Sequence, residues 1–225
     1  MIDWQAIDTV MLDMDGTLLD LHFDNYFWLH HLPVRYGEVH GIDFEVARTK
    51  LAARIQQQEG SLQWYCLEFW SNALDLDIMA LKHEVKHKIQ LRPHTEVFLD
   101  RLRAAGKRVM LVTNAHPHSM NLKFDITQIH KRCDSVISSH ELYHAKEAQP
   151  FWHSLAEREP FDPARTLFVD DTVRVLDSAR DYGIAHLLGI HQPDSQIARR
   201  LTSYPAIDHF TEIMPEVPHG TDPKR

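Results

Sequence analysis

With 225 residues, 44% of them apolar, the chain can bury a substantial core, and its length suits one domain carrying an insert. A formal net charge of -8 argues against a nucleic-acid polymer as partner, because phosphate backbones are held by basic patches; a small phosphorylated molecule in a local positive pocket stays compatible. The two cysteines, Cys66 and Cys133, have no metal or redox spacing and read as reduced thiols, and neither a basic-apolar leader nor a bilayer-length apolar run occurs, so a soluble, cytoplasmic protein is expected.

The first element is a short apolar strand, Thr9-Val10-Met11-Leu12, that runs into Asp13-Met14-Asp15-Gly16-Thr17. A buried strand ending in Asp-x-Asp delivers two carboxylates to its C-terminal edge, the usual place for a site in an open α/β sheet. One carboxylate can attack an electrophile, its neighbour can handle protons, and together they can hold a hard divalent cation. The plain reading of the same pentapeptide is an acidic turn, so the downstream partners decide.

From Asp20 to Arg92 the pattern changes. Aromatics cluster at Phe23, Tyr26, Phe27 and Trp28 and again at Trp64, Tyr65, Phe69 and Trp70, and the stretch from Phe44 to Ile55 has helical apolar spacing. These features predict a helical insert over 21–92 between core segments 1–20 and 93–214. Within it, His83-Glu84-Val85-Lys86-His87 is a literal H-E-x-x-H, which on one helix would pair two imidazoles for zinc. The surrounding Lys82, Lys86 and Lys88 favour a solvated helix face instead. Pro93 suits a first helical turn, with Gly106 ending that helix.

The second core strand, 107–112, ends in Thr113-Asn114, a hydroxyl and an amide able to bind phosphate oxygens without adding charge. After a strand at 135–138 comes Lys146, placed to neutralise a dianionic phosphate, although a single lysine is ordinarily a solvated surface residue. Thr166-Leu167-Phe168-Val169 is a further strand, ending in Asp170-Asp171, and 184–188 is another. Strands alternating with helical stretches predict a parallel sheet covered on both faces. No internal repeat is visible, and the tail over 215–225 has too few apolar residues to pack and is expected to be mobile.

In order, Asp13-x-Asp15-Gly16-Thr17, Thr113-Asn114, Lys146 and Asp170-Asp171 resemble the four motifs of the haloacid dehalogenase-like (HAD) hydrolase superfamily. The resemblance implies an α/β Rossmann-like core with an inserted all-helical cap. It makes Asp13 the nucleophile that forms an aspartyl-phosphate and Asp15 the acid, then the base. It also implies that Thr113 binds the transferring phosphoryl group with Asn114 supporting it, and that Lys146 bridges phosphate and Asp13. Mg²⁺ would be held by Asp13, the Asp15 carbonyl and Asp171, with Asp170 a further ligand or the partner of Lys146. The segment His144-Ala145-Lys146 departs from the Gly-x-Pro-Lys expected there.

A narrower resemblance, carried by Val10 to Asp20, Phe23 to Trp28, Trp64 to Leu67, Thr113 to His118 and Thr166 to Asp171, is to bacterial GMP/IMP nucleotidases of this superfamily. It implies a purine nucleotide as the small-molecule substrate, with Trp64 and Tyr65 or the Phe23-Tyr26-Phe27 set placed to stack on the base. Asp24 and Asn25 would bond the ribose or base, or cap the first cap helix. The alternatives are a dehalogenase, against which Asp15 and the acidic pair argue, a phosphomutase or phosphatase acting on a sugar phosphate, which keeps all four motifs, and a phosphate-binding regulator, against which the full catalytic set argues.

Overall fold

In the computed structural model, which describes residues 2–216, β1 (Thr9–Leu12), β2 (Arg108–Thr113), β3 (Ser135–Ser138), β4 (Thr166–Val169), β5 (His186–Ile190) and β6 (Ala206–Ile207) form one parallel sheet. The strand order is β3-β2-β1-β4-β5-β6. β1 is therefore central, with Val10 opposite Val109 on one side and Leu167 on the other. Both sheet faces are apolar, which is why these strands read as continuous hydrophobic runs. Side chains still alternate: Val10, Leu12, Val109 and Leu111 join one core, while Met11, Met110, Val112 and Phe168 join the other.

Between β1 and β2 the chain passes through α1 (His22–Tyr26), a π-helical turn (Phe27–His31), α2 (Leu32–His40), α3 (Phe44–Gln58), α4 (Leu62–Tyr65), α5 (Leu67–Leu74) and α6 (Ile78–Glu84). The sheet is then covered by α7 (Thr95–Ala104), α8 (Pro117–Thr127), α9 (Gln149–Arg158) and α10 (Val173–Tyr182). Phe98, Leu99 and Leu102 of α7 pack on the first face, and Trp152 and Leu155 of α9 with Leu176 of α10 on the second. The insert leaves and returns through two segments that pair antiparallel. Leu19 bridges Leu91, Asp20 N–H donates to Gln90 O at 2.9 Å, and Arg92 N–H donates to Leu18 O at 2.9 Å. Each stub thus satisfies the other's backbone, which fixes where the insert stands above β1.

Several expectations change. Pro93 precedes the helix rather than opening it: α7 begins at Thr95, because His94 takes a left-handed conformation (φ +66°) and Thr95 Oγ1 donates to Leu18 O at 3.0 Å. The strand expected at 184–188 is shifted to His186–Ile190, since Gly183 (φ +109°) ends α10 and Ile184 N–H still bonds back to Ala179 O. β6, only two residues long, carries too little pattern to be read from sequence. Pro215 is buried, contrary to a tail starting there, and 217–225 lie outside the described residues. The H-E-x-x-H segment is not one helix. α6 ends at Glu84, Val85 breaks the helical run, and Glu84 pairs with His31 at 2.8 Å, so His83 and His87 do not share a helical face. Nor is Lys82 solvated; it is 2% exposed, with its ammonium over the Phe23 and Phe27 rings.

Candidate functional site

The strand order reverses at β1: the chain steps from β1 to β2 and β3 on one side, then crosses to β4 on the other. Such a switch point opens a crevice at the strand C-termini. Asp13 follows β1 there, its N–H donating to Val169 O at 3.0 Å, and Asp170 and Asp171 follow β4. The Asp13, Asp170 and Asp171 carboxylates each offer an oxygen within 4.8 Å of the others. Gly16 makes this crowding possible. At φ +86° it turns the chain away, and a Cβ there would lie 2.8 Å from Asp171 Cγ.

Lys146 sits in the middle, 2% exposed. Its ammonium donates to Asp13 Oδ1 at 2.5 Å, Asp170 Oδ2 at 2.7 Å and Val112 O at 3.1 Å, which uses all three protons. Against its burial, the two carboxylates hold its pKa above the ordinary value. Burial raises Asp13 and Asp170 to about 6 and, with the Asp13 charge, Asp171 to about 7. One ammonium does not balance three carboxylates, and the Arg199 guanidinium stands 3.7 Å from Asp171. The surplus charge and the hard oxygen donors fit a divalent cation such as Mg²⁺. Asp170 faces Lys146 with one oxygen and accepts the Thr172 N–H at 2.8 Å with the other, which makes it the partner of Lys146.

Asp15 lies just outside this cluster. Its Oδ1 is 2.7 Å from Lys123 Nζ, an ion-pair distance without hydrogen-bond alignment. Lys123 also bonds Asp24 Oδ2 at 2.7 Å, and Lys82 bonds Asp24 Oδ1 at 2.8 Å. Burial raises Asp15 to about 6, whereas despite burial the two ammonium groups hold Asp24 well below the usual range. A carboxyl poised near 6 is suited to give and take protons close to neutral pH.

Thr113 closes β2, its hydroxyl accepting the Ala115 N–H at 3.0 Å. The Asn114 carbonyl accepts the Lys146 N–H at 2.9 Å while its amide donates to Glu147 Oε2 at 2.9 Å, and the Tyr65 hydroxyl donates to Glu147 Oε1 at 2.8 Å. Asn114 thus fixes the lysine loop, and Tyr65 ties the insert to it. A cleft of about 440 Å³ opens here, lined by Asp13, Asp15, Lys146, Trp28, Trp64 and Tyr65 among others.

For the insert, Asp24 and Asn25 both line the cleft, where Asp24 is paired with two lysines and Asn25 donates to Asp194 Oδ2 at 2.7 Å; the helix-cap alternative is corrected, since neither caps α1 and Asp20 accepts the His22 N–H instead. Phe23 and Phe27 are buried in the insert's core and, with Tyr26, are absent from the cleft lining. Sequence reading missed Lys123, Lys82 and Glu147. Nothing in Pro117–Thr127 distinguishes a lysine destined for burial; only the helical offset that turns Lys123 toward Asp15 does, and that needs the fold.

The model of the haloacid dehalogenase-like hydrolases matches residues 7–183. The chain belongs to that superfamily and is an enzyme, a hydrolase. It is 40% identical over 217 residues to the GMP/IMP nucleotidase YrfG of Escherichia coli (strain K12), covering 96% of this chain and 98% of that protein, and equally to its Shigella flexneri counterpart. In fold it is similar to an HAD phosphatase from Thermococcus onnurineus, with a TM-score of 0.76 at 23% identity over 92% of this chain and 95% of that one. It is also similar to the L-2-haloacid dehalogenase from Xanthobacter autotrophicus, with a TM-score of 0.59 at 17% identity over 84% and 80%. Among the described residues no helix is long and apolar enough to cross a membrane.

A prediction follows from the crowded carboxylates. Their pKa values are raised in the folded protein, so the stability they contribute is full below about pH 4 and is lost as pH rises through 6 to 7. A bound cation offsets that loss. The rise in Tm on adding Mg²⁺, followed by differential scanning fluorimetry, should be small at pH 5 and largest near pH 8. An equal rise at both pH values would contradict the site.

Proposed function

We propose that the protein is a Mg²⁺-dependent phosphomonoesterase that hydrolyses purine 5′-nucleotides, GMP or IMP, through an aspartyl-phosphate on Asp13. The observation that carries the chemistry is the Lys146 ammonium held between Asp13 and Asp170 at the switch point, with the Asp15 carboxyl alongside. The substrate rests on the 40% identity to the GMP/IMP nucleotidase along nearly the whole chain. The division proposed with it is a core of 1–20 and 93–214 and a cap of 21–92.

Asp13 attacks phosphorus, the bond to the nucleoside oxygen breaks, and Asp15 gives that oxygen its proton. Asp15 then takes a proton from water as the water attacks the aspartyl-phosphate, which returns Asp13 and releases phosphate. Lys146 orients Asp13 and neutralises phosphoryl oxygens, and Thr113 binds them, with Asn114 holding the lysine loop. Mg²⁺ would be held by Asp13, the Asp15 backbone carbonyl and Asp171, with Asp170 a further ligand or the partner of Lys146, and would supply further charge compensation for the phosphate. Lys123 acts through Asp15: its charge keeps that burial-raised carboxyl from rising further. Trp64 and Trp28 offer the cleft flat apolar faces suited to a purine.

Two outcomes test this reading. Asp13→Asn is nearly isosteric, so it should fold as the parent does and release no phosphate from GMP or IMP above background; turnover at a sizeable fraction of the parent rate would remove Asp13 as nucleophile. Trp64→Leu should lower kcat/KM for GMP and IMP by about 1–3 kcal/mol, the scale of base stacking on an aromatic ring. Hydrolysis of p-nitrophenyl phosphate should change far less, and equal losses on both substrates would assign Trp64 to structure alone.

A further inference from the structure

A second set of ligand-type side chains stands outside the phosphoryl site, where the insert meets the loop after β2. Cys66, Glu68 and His116 each offer an atom within 4.8 Å of the others. Cys66 Sγ lies 3.6 Å from Glu68 Oε2, and His116 Nε2 lies 2.7 Å from the same oxygen. Their placement is set by two helix starts. Cys66 caps α5, its sulfur accepting the Phe69 N–H at 3.4 Å, and Glu68 is in the first turn; His116 caps α8, its Nδ1 accepting the His118 N–H at 3.3 Å. Two ligands thus come from the insert and one from the core.

His140 adds an independent observation. Its ring centre is 4.8 Å from that of His116, and its Nε2 is buried with no hydrogen-bond partner. A buried imidazole nitrogen without a partner is costly unless something occupies its lone pair. The His116 to Glu68 ion pair and the Cys66 cap on α5 occupy the three clustered side chains, and the His140 nitrogen alone is left without a partner.

We propose that Cys66, Glu68 and His116, with the His140 ring beside them, form a site for a thiol-seeking divalent cation, Zn²⁺, which clasps the insert onto the core beside the cleft and slows turnover. Thiol and imidazole donors select zinc over the hard Mg²⁺ of the aspartate cluster. Bonds of about 2.3 Å to sulfur and about 2.0 Å to nitrogen or oxygen put tetrahedral ligand atoms about 3.5 Å apart, close to the Cys66 to Glu68 spacing. Binding releases the Cys66 thiol proton. On His116 the Nε2 proton moves to Nδ1, at the expense of the long contact with the His118 N–H. The clasp needs only that insert and core both supply ligands, so its metal-binding arm is independent of the nucleotide reading.

Co²⁺ as a spectroscopic stand-in for Zn²⁺ tests it, on the full chain with Mg²⁺ saturating. Wild-type protein should take up one Co²⁺ with a near-ultraviolet sulfur-to-cobalt band that Zn²⁺ displaces. Cys66→Ser should lose the band, His116→Ala and the surface variant Glu68→Gln should weaken binding about tenfold or more, and Asp171→Asn should keep the band. Zn²⁺ should slow p-nitrophenyl phosphate hydrolysis by the wild type but not by Cys66→Ser. Absence of the band, or its persistence in Cys66→Ser, or unchanged affinity in both His116→Ala and Glu68→Gln, would overturn the site. A cobalt band with Zn²⁺ leaving turnover unchanged would overturn the clasp.

Discussion

The buried Lys146 ammonium is the interaction on which the rest of the structure depends. An ammonium taken out of water is costly unless every proton is matched, and here all three are, by Asp13, Asp170 and the Val112 carbonyl. The reverse holds equally. Three carboxylates gathered at two adjacent strand ends repel one another, and among the described residues the lysine is the buried cation that bridges β1 to β4. Strand pairing brings the charges together, and the lysine makes that pairing tolerable.

From that centre the insert is tied down by polar contacts rather than by strand pairing beyond its two stubs. Glu147, next to Lys146, accepts both the Asn114 amide of the core and the Tyr65 hydroxyl of the insert. Asp24 of α1 joins Lys82 of α6 to Lys123 of α8, and Lys123 reaches Asp15. The charge on the proposed acid is therefore set partly by residues of the insert. Any shift of the insert that breaks the Asp24 to Lys123 contact changes the electrostatics at Asp15, so the position of the insert and the proton affinity of Asp15 are physically linked.

The sheet and the acidic cluster at its edge were legible because both leave local marks: short apolar runs ending in acids or a Thr-Asn pair, and Lys146 ahead of a helix. Two strand ends and a helix approach fix Asp13, Asp170 and Lys146 to within a few ångströms once the strand order is known. The insert was legible only as helical. Asp24 and Asn25 read in sequence as ligands for the ribose or base or as a helix cap, and the sequence does not show the partners they find 58 and 169 residues away. Aromatic rings at helical spacing do not reveal which way each faces, so Phe23 and Phe27, which form the insert's core, looked the same as Trp64, which faces the cleft. Lys82 read as surface charge and Lys123 carried no signal, because burial of a lysine depends on carboxylates supplied from elsewhere in the chain.

Removing the lysine while keeping its volume tests the central claim most directly. In Lys146→Met with the metal chelated, the three carboxylates lose their internal counter-charge. Their pKa values then rise further, so the loss of stability is small where they are protonated and grows as pH passes 6 to 7. Urea denaturation should find the variant close to the parent at pH 4.5 and less stable by about 3–5 kcal/mol at pH 8, the scale for breaking a buried pair by removing one partner. Parent-like stability at pH 8 would contradict the account.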